Sequence, residues 1–336
     1  MVRYKILKIL KSNKNNFVSG EIISSELGVT RTTVWKRIND LRDEGYVIWS
    51  SPKKGYLLSY IPDVLNAHEI GLNLNTTYLG KEIYYFKTID STNHYSKKIA
   101  ADGCKEGTLV VAGNQTSGRG RLGRIWESQD QKGIWMSIIL KPEILPSHIQ
   151  IITLAASIAV VSGIKEATGI SAGIKWPNDI ILDGKKVCGI LTEMSSEPDR
   201  VNYIILGIGI NVNQNMDDFN LELRDKAISL KMHKCAKSIS DEDIRRSDII
   251  KAILLKLEEL YENIKGGKTD VVLNEWKDAS ITLGKEIKVV SKDSEYIGIA
   301  IDITDEGKLV VQSSNGIIHE FISGEVTIRG INGYAV

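Results

Sequence analysis

A run of alternating glycine and arginine, from Ser117 to Trp126, constrains the fold of this chain more than any other feature. The run reads Ser-Gly-Arg-Gly-Arg-Leu-Gly-Arg-Ile-Trp. Glycine lets a backbone approach a ligand closely, and arginine offers a planar, permanently charged fork that suits carboxylate or phosphate. A segment this charged cannot belong to a hydrophobic core, so it predicts a mobile loop that orders over an anionic ligand. A solvated linker is the alternative, but linkers favour Ser, Pro and Glu over Arg and Trp.

The three glycines of the run also match the pattern G-x-G-x-x-G of dinucleotide-binding folds. That site needs a strand leading directly into the first glycine and a helix opening at the third. Here the apolar strand at 109–112 ends several polar residues before Gly118, and no helical apolar pattern follows Arg124. The context therefore argues against a Rossmann site, and the P-loop pattern is absent from the sequence.

Length and composition predict a soluble protein of two or three domains, since the chain has 336 residues with 42% hydrophobic and 25% charged residues. The apolar stretch at 149–164 is short for a membrane span and is interrupted by polar residues, which favours a buried helix. The three cysteines are far apart, so neither a disulfide framework nor a zinc site follows. We expect a cytoplasmic protein that does not bind membranes.

The first sixty residues are basic, whereas the remainder of the chain is slightly acidic. They hold 11 Lys and Arg against 5 Asp and Glu, a net charge of +6, and the remainder holds 32 against 37, a net charge of −5. This asymmetry suggests a polyanionic partner for the first domain.

The pattern of this basic region is typical of a winged helix-turn-helix. Ser19 and Thr30 are placed to cap two helices, and Gly28 to end the first of them. In such a motif the start of the second helix meets the major groove of DNA, and a following hairpin contacts phosphates. The candidate DNA-binding residues are Gly20, Thr30, Arg31, Thr32, Thr33, Trp35, Lys36, Lys53 and Lys54. A protein-interaction module with a solvated basic face is the alternative.

From about residue 78, strands and helices alternate. Ser91 and Thr92 follow the first strand, where they could cap a helix or bind a polar, uncharged ligand group. Taken alone, the cap is the simpler interpretation. Gln115 follows the next strand and adds an amide that can both donate and accept.

A two-residue turn at 183–184 predicts a hairpin that carries a candidate functional lysine. Regular pairing sets Ile181 opposite Lys186 and Asp179 opposite Cys188. The alternation of side chains then places Asp179 and Lys186 on one face of the hairpin. An exposed salt bridge, which contributes little, is the alternative to a functional ammonium.

Lys185 faces the other way, so Lys186 is the better candidate. Asn211 follows an apolar strand interrupted by glycines, where its amide could contact an adenine edge. The five histidines show no ligand spacing, and no Ser/His/Asp arrangement stands out. With a metal, the arginines and lysine could gather a carboxylate and a triphosphate, so that the carboxylate attacks the α-phosphate without a protein nucleophile.

Five segments in sequence order resemble the motifs of biotin protein ligases: 90–93, 118–124, 175–179, 186–191 and 207–211. Together with the helix-turn-helix, they resemble the bifunctional form that is also the biotin operon repressor. The resemblance implies an α+β fold in three domains. These are a winged helix-turn-helix over 1–62, a mixed α/β ligase domain over 63–276 and an SH3-like β-barrel over 277–336, where short alternating strands predict a small barrel.

The resemblance also implies roles for individual residues. Lys186 and Arg121 would be catalytic. The biotin-binding residues would be Ser91, Thr92, Asn93, Gln115, Arg119, Gly120, Arg121 and Lys186. The ATP- and adenylate-binding residues would be Arg119, Arg121, Arg124, Trp126, Asn178, Asp179 and Asn211. Mg²⁺ would accompany ATP, without protein ligands that can be assigned.

The implied activity is formation of biotinyl-5′-AMP from biotin and ATP, followed by transfer of biotin to a lysine of a biotin carboxyl carrier protein. A homodimer holding the adenylate would bind operator DNA. A ligase without repressor activity, a ligand-sensing transcription factor without catalysis and a lipoyl ligase remain as alternatives. Residues 214–247 carry no readable signal.

Overall fold

The computed structural model describes residues 2–13, 15–128, 131–290, 295–323 and 327–330, and the chain forms two compact units that divide after Leu72. The first unit contains α1 (Val2–Ser12), α2 (Gly20–Leu27), α3 (Arg31–Asp43), β1 (Val47–Ser51), β2 (Gly55–Tyr60) and α4 (Ala67–Gly71). The second unit contains the helices α5 (Thr92–Ala101), α6 (Ile149–Thr168), α7 (Leu230–Ala236), α8 (Arg246–Lys265) and α9 (Thr269–Ala279). Its strands are β3 (Ile83–Ile89), β4 (Leu109–Gln115), β5 (Ile134–Leu140), β6 (Gly173–Lys175), β7 (Asp179–Leu182), β8 (Lys185–Ser196), β9 (Val201–Ile210), β10 (Glu286–Val290), β11 (Glu295–Ile303), β12 (Leu309–Gln312), β13 (Ile318–Phe321) and β14 (Thr327–Gly330).

The first unit is a helix-turn-helix followed by an antiparallel hairpin, which confirms the prediction. The hydroxyl of Ser19 accepts from the backbone N–H of Ile22 at 3.1 Å, and that of Thr30 from Thr33 at 3.1 Å. Gly28 ends α2 in the left-handed region, with φ of +61°. The apolar face of α3 is fully buried, so the residues at the start of that helix point outward.

The first unit continues past residue 62, where we expected its boundary. Glu69 on α4 is 1% exposed. Its carboxylate accepts from Lys11 Nζ at 2.6 Å and from the hydroxyl of Tyr46 at 2.7 Å. A buried carboxylate needs such partners, and these two contacts join α4 to α1 and to the residue before β1.

The second unit is built on a seven-stranded sheet in the order β3-β4-β5-β9-β8-β7-β6. Only β3 and β4 run parallel, and each other neighbouring pair is antiparallel. The helix predicted over 149–164 is α6, which packs against β8 and α8. By length and composition α6 could cross a membrane, but most of its apolar stretch is buried inside the protein, as for a core helix.

The C-terminal strands form an antiparallel sheet in the order β13-β12-β11-β10-β14. The four strands predicted between 286 and 321 are confirmed. This sheet belongs to the same compact unit as the central sheet. Trp176 joins the two, because its indole N–H donates to the carbonyl of Gly307 at 3.2 Å and its backbone N–H donates to Thr282 Oγ1 at 3.0 Å. Residues 331–336, the end of the predicted third domain, lie outside the described residues.

Candidate active site

A cavity of about 420 Å³ lies between the Gly/Arg loop and strands β8 and β9. Every residue that the sequence assigns to biotin or ATP lines it: Ser91, Thr92, Asn93, Gln115, Arg119, Gly120, Arg121, Arg124, Trp126, Asn178, Asp179, Lys186 and Asn211. The central sheet thus brings together segments that are more than a hundred residues apart in the chain.

The Gly/Arg run is a loop between β4 and β5, closed by its own backbone. The N–H of Gly120 donates to the carbonyl of Arg124 at 2.7 Å, and the N–H of Trp126 to that of Gly118 at 3.0 Å. A Cβ at position 118 would lie 2.4 Å from the carbonyl oxygen of Trp126, so only glycine fits there. No helix opens at the third glycine, since a short 3₁₀ turn over Arg121–Gly123 leads into an extended backbone. This geometry excludes the dinucleotide-binding arrangement.

The hairpin of β7 and β8 carries Lys186 into the cavity, although its register differs from the prediction. Ile181 pairs with Lys186 as expected, but Asp179 pairs with Gly189 rather than Cys188. The predicted register was wrong because the pairing of β7 with β8 shifts at an irregularity between positions Ile180 and Ile181. The two charged side chains still meet, with Lys186 Nζ 2.6 Å from Asp179 Oδ1.

Lys185, the neighbouring lysine, does not line the cavity. Its ammonium donates to the backbone carbonyl of Arg224 at 2.9 Å. The structure thereby separates the two lysines as the alternation predicts.

The indole of Trp126 lies on a floor of two glycines. Gly189 and Gly209 face each other across β8 and β9, and a Cβ on either would come within 3 Å of the indole, at 2.9 and 2.6 Å respectively. Lys186 Nζ is 5.1 Å from the indole ring centre, which is within range of a cation–π contact. The indole nitrogen is buried and has no hydrogen-bond partner among the described residues. Such an orphaned donor is expected where a ligand supplies the missing acceptor.

Arg121 is a second basic residue of the lining, held by Asn178. Its Nη1 donates to Asn178 Oδ1 at 3.0 Å, and Asn178 Nδ2 donates to the carbonyl of Ile190 at 2.6 Å. Burial lowers the pKa of the Arg121 guanidinium below its ordinary 12.5, and the nearby Asp179 carboxylate opposes that effect. The guanidinium remains charged, so the cavity has a fixed positive group in addition to Lys186.

Uncharged hydrogen-bonding side chains also line the cavity. Ser91 caps α5, accepting from the N–H of His94, so the cap interpretation holds for this residue. Thr92 does not cap the helix. Its backbone N–H donates to Gln115 Oε1 at 2.8 Å, and Gln115 Nε2 donates to Ser128 Oγ at 2.9 Å.

Part of the lining carries no signal in the sequence. Residues 214–247, which show no readable pattern, contribute four residues to the lining: Phe219, Leu223, Lys226 and Ala227. Backbone hydrogen bonds hold this segment against the hairpin. The N–H of Lys186 donates to the carbonyl of Lys226 at 2.8 Å. Other lining residues not predicted include Met136, Lys175, Gly189 and Ile328, the last from the C-terminal sheet. Lys175 lies inside the motif at 175–179 and Gly189 inside the motif at 186–191. Membership in these motifs is the only feature of the sequence that points to either residue.

Among the described residues, no cysteine lines the cavity. Cys188 beside it is fully buried, and burial raises the pKa of its thiol well above the ordinary 9.0, so the thiol stays protonated. Within the described parts of the chain, no group of three or more His, Cys, Asp or Glu could hold a metal ion. The arrangement suits charge stabilisation and positioning.

On the first unit, most candidate DNA-binding residues are exposed. Trp35 is 57% exposed, and Arg31, Thr32, Lys36, Lys53 and Lys54 are exposed with it. Thr30 and Thr33 are hydrogen-bonded to each other at the start of α3. Gly20 begins α2 and faces the hairpin, since a Cβ there would lie 3.3 Å from the ring of Tyr56.

Comparison with known families matches the three regions separately. Residues 85–211 match the biotin/lipoate A/B protein ligase family, residues 2–57 an HTH domain, and residues 282–329 the biotin protein ligase C-terminal domain.

Whole-chain relatives agree. The chain is 42% identical to the bifunctional ligase/repressor BirA of Bacillus subtilis over 94% of this chain and 95% of that protein. It is 28% identical to BirA of Escherichia coli over 98% of this chain and 97% of that protein. A solved structure of the biotin protein ligase from Aquifex aeolicus in complex with biotin and ATP superposes with a TM-score of 0.63 at 29% identity, covering 74% of this chain and 99% of that one.

The fold and the cavity therefore define a ligase of the biotin/lipoate type joined to a helix-turn-helix unit. The chain belongs to the biotin protein ligase family, and within it to the bifunctional ligase/repressors.

Proposed function

We propose that this protein forms biotinyl-5′-AMP from biotin and ATP, transfers the biotin to a lysine of a biotin carboxyl carrier protein, and represses biotin genes while it holds the adenylate. The observation that carries the proposal is that one cavity brings together uncharged hydrogen-bonding groups with Lys186, Arg121 and Trp126. This distribution matches a ligand with a neutral polar head, a carboxylate and a nucleotide.

The first step is attack of a biotin carboxylate oxygen on the α-phosphorus of ATP. A bond forms between that oxygen and phosphorus, the α–β bridging bond breaks, and pyrophosphate leaves. Lys186 and Arg121 both line the cavity, where they offset charge on the carboxylate and phosphate. Their partners Asp179 and Asn178 hold them in place, so little reorganisation is needed.

In the second step a lysine amine of the carrier protein attacks the carbonyl carbon of the mixed anhydride, and AMP leaves. The amine must first lose its proton to become a nucleophile. Lys186 is positioned to hold the carbonyl oxygen, where negative charge develops. The protonated Cys188 thiol takes no part, which fits direct transfer without a covalent enzyme intermediate.

The other assigned lining residues divide between the parts of the ligand. Ser91, Thr92, Asn93 and Gln115 bind the ureido head of biotin, with Arg119 and Gly120 closing the loop over the chain. Trp126 and Asn211 contact the adenine, and Arg124 reaches the phosphates. Asp179 and Glu127 are the carboxylates of the described lining, and Mg²⁺ is commonly bound by one or two carboxylates together with substrate phosphates, so the donors fit Mg²⁺ delivered with ATP.

The repressor role rests on the helix-turn-helix unit. Exposed Arg31, Trp35 and Lys36 lie at the start of α3, and exposed Lys53 and Lys54 at the tip of the hairpin. We propose that the adenylate favours a homodimer whose two units span a palindromic operator, and that the protein works in the reducing cytoplasm, where its three free cysteines remain thiols.

Biotin-dependent exchange of labelled pyrophosphate into ATP tests the ligase half. We expect exchange with biotin and none with lipoate, and the reverse preference would identify a lipoyl ligase. Footprinting of the operator with and without biotin and ATP tests the repressor half. Equal protection in both conditions would leave a ligase whose first domain does not repress.

A further inference from the structure

An ion pair connects the two helices of the helix-turn-helix on its exposed side. Arg31 is the first residue of α3, and its Nη2 donates to Oε2 of Glu21, in the first turn of α2, at 2.5 Å. The side chains of Arg31 and Glu21 are 67% and 75% exposed. An exposed pair of this kind contributes little to folding stability, so stability does not account for it.

The two helices that carry the pair are held by other contacts. Ile23 of α2 and Val34 of α3 are fully buried in one hydrophobic core. In the turn between the helices, the backbone N–H of Val29 donates to the carbonyl of Ser24 at 3.0 Å. The core and the turn therefore set the distance between the helices, and the pair only restrains the two side chains.

Glu21 places a negative charge beside a candidate DNA-binding residue, in a unit that is basic overall. A carboxylate close to DNA repels the phosphates whatever the base sequence, and so lowers affinity for all DNA. Glu21 thus adds little to stability and opposes binding in general. What it does supply is a restraint on the Arg31 side chain, which bears on sequence selectivity.

A restrained Arg31 is suited to reading a base. The first residues of a recognition helix contact base edges in the major groove, and arginine pairs with O6 and N7 of guanine through two parallel hydrogen bonds. The bond to Glu21 uses one of the five N–H donors of a guanidinium, so enough donors remain for both guanine atoms. An unrestrained Arg31 can turn to the phosphates instead, and phosphate contacts carry no sequence information.

We propose that Glu21 is a positioning residue that holds the Arg31 guanidinium for pairing with a guanine of the operator. This inference rests on the repressor half of the proposed function and deepens it. Without Glu21 the guanidinium is free to reach phosphates and the repulsion is gone. Affinity for random DNA should then rise, while discrimination at the base pair that Arg31 reads should fall. A residue with a merely structural role would weaken both when replaced.

The test uses duplexes that the wild-type protein selects from a random library in the presence of biotin and ATP. Fluorescence anisotropy at one fixed salt concentration then gives Kd for the selected duplex, for each single base-pair replacement and for random DNA. The proteins are wild type, Arg31→Ala, Glu21→Ala and Glu21→Gln. The ratio of two Kd values within one variant is insensitive to any loss of folded protein.

We expect Arg31→Ala to lose discrimination at one base pair of each half-site, which identifies the base pair that Arg31 reads. At that same base pair Glu21→Ala should reduce discrimination about tenfold, and it should bind random DNA more tightly than wild type. Glu21→Gln keeps an oxygen that can accept from Arg31, so it should retain part of the discrimination.

Glu26→Ala is the matched control, because it removes an exposed carboxylate from the same helix and leaves the pair of Glu21 and Arg31 intact. It should keep the wild-type discrimination. Unchanged discrimination in Arg31→Ala or Glu21→Ala, or an equal loss in Glu26→Ala, would overturn the positioning role while the repressor function stands. If the wild-type protein selects no sequence, the repressor half of the proposed function fails, and this inference fails with it.

Discussion

The ammonium nitrogen of Lys186 lies 2.6 Å from the carboxylate oxygen Oδ1 of Asp179, inside the cavity. The two side chains are 23% and 17% exposed, so water screens them only partly. The carboxylate holds the ammonium at the floor formed by Gly189 and Gly209 until a ligand carboxylate or phosphate competes for it. In the proposed mechanism this pair orients the Lys186 ammonium, whereas an exposed pair would add little.

Replacing Lys186 should mainly slow adenylate formation. Lys186→Ala removes the charge that stabilises the transition state, and we expect a loss of about 3 kcal/mol, or roughly a hundredfold in rate. The measurement is the rate of biotin-dependent pyrophosphate exchange. Lys185→Ala is the control, because that side chain binds the carbonyl of Arg224 outside the cavity. Equal rates for the two variants would contradict the role of Lys186.

Loss of Arg121 should release the adenylate early. Its guanidinium is anchored on Asn178 and faces the cavity, so Arg121→Gly removes a fixed contact to the phosphate or carboxylate. Free adenylate would acylate exposed lysines of unrelated proteins, which mass spectrometry of a protein mixture detects. Arg200→Gly, at an exposed arginine bound only to nearby Glu197, should label the carrier alone. Labelling confined to the carrier in both variants would refute this prediction.

Trp126 should contribute to ATP binding through its ring. Stacking of a base on an aromatic side chain contributes about 1–3 kcal/mol, so Trp126→Ala should raise KM for ATP about tenfold or more, and Trp126→Phe less. Steady-state kinetics at saturating biotin measures this. The exposed Trp49 in the first unit provides the control, and Trp49→Ala should leave KM for ATP at the wild-type value. An unchanged KM in Trp126→Ala would remove the indole from the nucleotide site.

The helix and the hairpin of the first unit should contribute differently to DNA binding. Trp35→Ala changes the exposed start of α3 and should weaken operator binding more than binding to random DNA. Lys54→Ala should weaken both equally and reduce the slope of log K against log salt by about 1. Footprinting at several salt concentrations separates the two effects, and pyrophosphate exchange should be unaffected in each. Identical salt slopes for wild type and Lys54→Ala would exclude a phosphate contact at the hairpin tip.

Glu258 on α8 should make stability depend on pH in the acid range. It is 8% exposed, and its carboxylate accepts from the backbone N–H groups of Thr77, Tyr78 and Leu79. Burial alone would raise its pKa, but the three donors outweigh burial and lower the pKa below its ordinary 4.5. A lowered pKa means that the stabilisation is complete above the unfolded-state pKa and is lost as pH falls through the folded-state pKa.

Urea unfolding of Glu258→Gln as a function of pH checks this. The variant should be less stable by roughly 1–3 kcal/mol at neutral pH, and it should lose less further stability on acidification than wild type. Glu259→Gln, at a mostly exposed carboxylate on the same helix, should follow the wild-type curve. Parallel curves for wild type and Glu258→Gln would show that the backbone contacts of Glu258 do not stabilise the fold.

Local patterns in the sequence predict those site residues that lie at the ends of strands. Thr92, Gln115 and Asn211 follow or end strands, and their polar side chains interrupt apolar runs there. The Gly/Arg loop is predictable as well, because a segment of this charged composition cannot lie in the hydrophobic core. The residue that pairs with Asp179 across the hairpin was not predictable, because strict alternation takes no account of the bulge at Ile180 and Ile181.

Residues that reach the site through long-range contacts left no local signal. Phe219 and Lys226 line the cavity only because the backbone of their segment docks on Lys186. Glu193 lies in mid-strand, and its carboxylate accepts a hydrogen bond from the cavity residue Asn93, far away in the chain. Such residues can be assigned to the site only from the folded structure, in which the sheet sets their distances to the cavity.

The most direct measurement is the intact mass of a biotin carboxyl carrier domain after incubation with this protein, biotin, ATP and Mg²⁺. The account predicts the mass increase of one biotinyl group on wild-type carrier, none when its acceptor lysine is replaced by arginine, and none when ATP is omitted. A carrier that stays unmodified, while the protein binds biotin and ATP, would contradict the account and leave a ligand-sensing DNA-binding protein without ligase activity.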